Sequence, residues 1–170
     1  MPRFRLMSAC ALLMLSLTAC STPAATPVIV EDPWVRTTSG AKDTSMTALF
    51  FSAVNPGKTS TRLVGADCSS VAGMTQVHEM VKSSDGTMVM QEAKKGVEVP
   101  AGSHLHLKPG GAHVMLMGLK TPLEIGDEVT CTLSFDSGDQ VTVTAPVKKF
   151  TEEADHYHSP TASPSATADR

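Results

Sequence analysis

The sequence predicts an all-β fold, a two-sheet Greek-key sandwich of about nine strands, and three observations carry the prediction. Short runs rich in apolar and β-branched residues recur along the chain. Turn-forming residues separate them, and no long apolar stripe of helical period lies between residues 28 and 149. Several runs alternate polar with apolar residues, as a strand with one face in a core must.

In order, the expected strands begin with Val28 to Thr37 and Met46 to Val54. Asn55-Pro56-Gly57 ends the second, because proline presets φ and glycine admits positive values. Thr61 to Cys68 and Thr75 to Val81 follow, and Ser84-Asp85-Gly86 turns the chain into Met88 to Gln91. His104 to Leu107 and His113 to Met117 flank Pro109-Gly110-Gly111. His104 and His106 alternate with Leu105 and Leu107, so they are expected to face outward beside core leucines. Glu128 to Phe135 and Gln140 to Val147 close the set around Asp136-Ser137-Gly138-Asp139. Thr130, Thr132 and Ser134 alternate there with Leu133 and Phe135, and Thr142 and Thr144 with Val141 and Val143. Trp34, Phe50 and Phe51 read as core or rim packing.

The two ends read differently. Arg3 and Arg5 precede an apolar stretch from Leu6 to Leu17, too short for a transmembrane anchor, and Leu17-Thr18-Ala19-Cys20 then resembles a bacterial lipobox. The expected organisation is a signal peptide over residues 1–19, a lipidated tether over 20–27 starting at Cys20, one domain over 28–149, and a tail over 150–170. The tail, with Ser159-Pro160-Thr161-Ala162-Ser163-Pro164, is too polar to offset the entropy of ordering and is expected to be disordered. Such a protein is held by lipid at the cell membrane, facing the extracytoplasmic side.

Losing Arg3 and Arg5 leaves 12 basic against 17 acidic residues and moves the formal charge from -3 to -5. Nucleic acid is thereby excluded as a partner, because phosphate binding needs a basic footprint. With Cys10 removed and Cys20 lipidated, Cys68 and Cys131 remain as an even pair in an oxidising compartment and are expected to form a disulfide; two separate buried thiols are the alternative.

No nucleophile elbow, phosphate-cradling loop or His-Glu-X-X-His helix occurs, so an enzyme is not expected. Thioether sulfur stands out instead. Seven of the ten methionines follow the signal segment, and five of these lie in Val77-His78-Glu79-Met80, Met88-Val89-Met90 and His113-Val114-Met115-Leu116-Met117. His113 and Met115, two apart on a strand, share a face and can grip one ion. Met117 shares that face too unless the strand ends before it. Thioether sulfur is a soft, neutral donor that holds Zn(II) poorly, whereas Cu(I) accepts it well together with imidazole. A blue-copper electron carrier needs a Cys thiolate in the site, and neither Cys68 nor Cys131 has His and Met close behind it. The competing reading is an Ig-like binding or adhesion lipoprotein without metal, its methionines filling the core.

The stretch from Val77 to Phe135 resembles the periplasmic copper chaperone family PCu(A)C. That family's pattern is a His, usually a following Met, ten residues, a Met, about twenty-one residues, and His-X-Met. Here Met80 to Val89 separate His78-Glu79 from Met90, and Gln91 to Ala112 separate Met90 from His113-Val114-Met115. Pro100-Ala101-Gly102, Leu107-Lys108-Pro109-Gly110-Gly111 and Leu116-Met117-Gly118-Leu119 are also similar. Two departures stand out: the second spacer is one residue longer, which Lys94-Lys95 before Gly96 would absorb, and Glu79 replaces the optional Met.

The resemblance implies a cupredoxin-like fold and a Cu(I) site of His78, Met90, His113 and Met115. With two ligands on one strand and two from separate turns, the site is expected near the surface at one end of the sandwich. The implied activity is to hold copper outside the cytoplasm and deliver it to a respiratory oxidase, such as the CuA centre of cytochrome c oxidase, or to an assembly factor. In the tail, Asp155-His156-Tyr157-His158 is either a solvated segment or a weaker second site whose harder ligands suit Cu(II).

Overall fold

A computed structural model describes residues 26–149, all of them strand, turn or irregular. The signal segment, Cys20 and the tail with His156 and His158 lie outside the described residues. No described helix is long and apolar enough to cross a membrane.

Ten strands form in place of about nine: β1 (Ile29–Arg36), β2 (Met46–Asn55), β3 (Thr61–Asp67), β4 (Ala72–Lys82), β5 (Met88–Glu92), β6 (Val97–Val99), β7 (Ser103–Leu107), β8 (His113–Leu119), β9 (Glu128–Phe135) and β10 (Gln140–Lys148). The added one is β6, whose three residues are too few to show a period; it exists because Val97 to Val99 pair with Leu63 to Thr61 of β3. Strand β8 also runs past Met117 to Leu119.

The strands follow the path β5-β4-β8-β2-β1-β10-β9-β3-β6, with β1 and β10 parallel and the other pairs antiparallel. Strand β2 has two successive partners on one edge, β8 against Met46 to Leu49 and β7 against Phe51 to Asn55. One hydrophobic cluster takes Leu49, Phe51, Val77, Val114 and Leu116 from one half of the path and Leu63, Val129, Leu133 and Ala145 from the other. The two halves therefore face each other across a single core. Sterically permissive glycine is needed at Gly96, where φ is 71° and a Cβ would run into the Leu63 carbonyl. The Lys94-Lys95 turn just before it carries the chain from β5 to β6.

In the second half, Cys68 at the end of β3 is bonded to Cys131 of β9, with Cα atoms 4.4 Å apart and both residues buried in the core. None of the seven methionines among the described residues belongs to that core. Methionine normally serves as an adaptable core filler, so the metal-free reading loses its main support.

Candidate metal centre

Alternation decides which side chains leave the core. On β8, Val114 and Leu116 are fully buried in it, so His113, Met115 and Met117 project from the opposite, outer face. On β4, Val77 is a core residue and Gln76, His78 and Met80 face outward. Antiparallel partners share a face, and the register sets His78 directly opposite His113 and Gln76 opposite Met115.

The two imidazoles lie with ring centroids 5.6 Å apart and planes at 67°. They are only 9% and 7% exposed, although both are outside the core. Phe50 makes part of their shelter: its ring centroid is 6.1 Å from that of His113 and 4.6 Å from that of Trp34. A bulge between Glu31 and Trp34, with Asp32 at a φ of 49°, sets Trp34 opposite Phe50. Phe50 and Phe51 thus do different work. Phe51 is core, and Phe50 is a wall of the outer site.

Each ring is oriented through one nitrogen, which leaves the other as a donor. The Gly111 carbonyl accepts from Nδ1–H of His113 at 2.9 Å, so its Nε2 keeps the lone pair. The Gln76 Oε1 accepts from Nε2–H of His78 at 3.0 Å, and Nδ1 of His78 is buried without any hydrogen-bond partner. A buried acceptor left unpaired costs about 1–3 kcal/mol, a cost that coordination to an ion would remove. Fixing the tautomer of a ligand His through its other nitrogen is what metal centres commonly do.

The two methionines are placed unequally. Met115 stands on the same strand as His113 and across from Gln76. Met90 lies one strand further out on β5, opposite Met80, while Glu92 is the residue opposite His78. Its side chain, 49% exposed, stands on the diagonal from His78 between neighbouring strands, a separation that long side chains can span. His78 and Met90 lie within paired strands and not in turns, because the β4–β5 hairpin extends through both residues. Gln76 and Glu92 did not stand out in the sequence. Gln76 shares the two-residue period of His78 and was legible on that ground; Glu92 depends on cross-strand register. Among the described residues no three His, Cys, Asp or Glu side chains gather as a hard-metal site.

Burial, and then the His113 imidazole, hold His78 below the ordinary imidazole range, with Glu92 opposing them. His106 is lowered too, by burial, His104 and Lys108. The unfolded chain accepts protons on these rings that the folded domain resists. The metal-free domain is therefore expected to lose stability as pH falls through about 6.5, and to be insensitive to these groups above it. Melting curves on either side of that pH check this, and His78→Gln should lessen the drop; a midpoint unchanged by acidification would contradict it.

The family model that matches, over residues 28–147, is the one described as LpqE-like, for lipoproteins. Lxx21020 of Leifsonia xyli subsp. xyli, named as a lipoprotein, is 43% identical over 157 residues, covering 86% of this chain and 91% of the relative. Among solved structures, the copper-bound PCuAC domain from PmoF2 is 24% identical with a TM-score of 0.58, over 74% of this chain and 96% of that one. The Cu(I) form of DR1885 from Deinococcus radiodurans is 30% identical with a TM-score of 0.55, over 75% of this chain and 83% of that one.

Proposed function

The chain belongs to the LpqE-like lipoprotein family, and on that premise we propose that it is an extracytoplasmic copper chaperone holding Cu(I) through His78, Met90, His113 and Met115. One observation carries the reading: Nδ1 of His78 is buried and unpaired, and it belongs to a ring directly opposite His113. The copper-bound PCuAC domain from PmoF2 and Cu(I)-DR1885, both of similar fold, support copper as the cargo.

Four neutral donors hold a soft monovalent ion without adding charge, and they do not offset the second charge of Cu(II) or compete well for zinc. The pair of imidazoles is the fixed part of the site, and the thioethers are the movable part. Every residue of β5 is exposed and the strand forms one end of the sheet path, so Met90 is the ligand that a partner's thiolate displaces first. Copper then leaves by stepwise exchange, with no redox change in the protein. The recipient proposed is a respiratory oxidase copper centre such as CuA, or an assembly factor serving it. The first equivalent of Cu(I), added anaerobically, should shift the NMR signals of both rings and of the Met90 and Met115 methyl groups. Rings that do not respond would overturn the reading.

Cys20 is proposed as the lipidated first residue, where two acyl chains would anchor the domain at the membrane's outer face. Cys20→Ala should release the protein from the membrane fraction; an unchanged distribution would remove the anchor. In the tail, His156 and His158 are proposed as a weaker Cu(II) site. Truncation after Lys149 should then lower Cu(II) uptake and leave Cu(I) uptake alone, and equal Cu(II) uptake by both forms would dispose of that site.

A further inference from the structure

The seven methionines among the described residues all project from one face of one sheet. Met80 and Met90 are cross-strand partners, and Met88 is two residues from Met90 on the same side. Met115 and Met117 follow His113 along β8. At the far end of this row, Met117 pairs with Met46 of β2 on one side and with Met74 of β4 on the other. Three thioethers thus stand abreast on three adjacent strands, clear of His78 and His113.

The bland explanation for such a group is packing, and it fails here. Met46 is 40% and Met74 53% exposed, and neither they nor Met117 joins the core. A solvent-facing row at the centre of a sheet is ordinarily polar. We infer that Met46, Met74 and Met117 form a second binding site for a soft monovalent metal ion, made of thioethers alone. Adjacent strands are about 4.8 Å apart, and methionine has three rotatable bonds. The outer two sulfur atoms can therefore converge over the central one. The set is neutral, needs no deprotonation, and its donors select Cu(I) or Ag(I) over Zn(II).

Its position gives it a use. Met117, Met115 and His113 succeed one another on β8 at about 6–7 Å per two-residue step. One groove is lined by Met46, the trio's outer member on β2, and by Ala48, Phe50, His113 and Met115, and so reaches from the edge of the trio to the histidines. An ion caught by the three methionines has Met115 as its next donor toward the histidines. The trio is an entry or overflow site for the same cargo.

Ag(I), a soft ion that is stable in air, serves as the probe, with native mass spectrometry of the domain counting bound ions. The parent should take up two. Met117→Leu should take up one, and so should Met74→Leu, whose exposed position leaves the fold unaffected. His113→Ala should retain one ion at the trio. A His113→Ala that binds no ion, or a Met117→Leu and a Met74→Leu that each bind as many ions as the parent, would overturn the inference. The histidine site fails separately, if His113→Ala still binds two ions and only the trio variants lose one.

Discussion

Met115→Leu is expected to weaken Cu(I) binding by more than about a hundredfold while leaving the domain folded. Loss of a group that merely orients a ligand typically costs about 10–100-fold in metal affinity, and Met115 is proposed as a direct donor. Leucine keeps the apolar volume and removes only the sulfur, so the stability cost should stay below about 1.5 kcal/mol. Met115 is half-buried beside Gln76 and Ala48 and is not part of the core, which favours the low end of that range. His113→Ala should have an effect at least as large, because it removes one imidazole and strips the cover from His78. Competition against a Cu(I) chelator under anaerobic conditions measures both. If both variants held copper as tightly as the parent, the assignment of ligands would fall, while the fold and the family would stand.

Removing the Cys68–Cys131 bond is expected to be the largest purely structural loss. The two residues are 63 apart in sequence, and closing a loop of that length contributes roughly 4 kcal/mol in the chain-entropy model. A domain of this size has about 5–15 kcal/mol in total. The double variant Cys68→Ala, Cys131→Ala should therefore unfold at a much lower denaturant concentration. Copper affinity of the folded fraction should not change, because Cys131 sits on β9 between β3 and β10 and the proposed ligands sit on β4, β5 and β8. An unaltered midpoint would show that the bond does not constrain the unfolded chain, and a loss of copper would show that the two halves of the sandwich are coupled.

These two expectations draw on different levels of information. The all-β class, the nine expected strands in near-correct place, and the His-X-Met pair at 113 and 115 were legible in the sequence, because period-two alternation and turn chemistry are local. Strand β6 was not, since Val97-Glu98-Val99 gains its identity from pairing with β3. Lys94-Lys95, where the extra residue of the second spacer was expected, lies in the turn before Gly96 that joins β5 to β6.

For the candidate site, the sequence by itself determined the donor types and which of them share a strand face. Only the tertiary structure decided which face that was. Val77, Val114 and Leu116 enter the core, and this turns every described methionine outward, including Met117, whose sharing of the face with Met115 depended on how far β8 ran. It also decided that His78 and His113, thirty-five positions apart, stand opposite each other, that Gln76 orients one ring and Gly111 the other, and that Phe50 closes one side. The physical reason is that strand register is a non-local property. It follows from burying one continuous apolar face and pairing every backbone amide along it, and a slip of one residue would send His78 and His113 to opposite sides of the sheet.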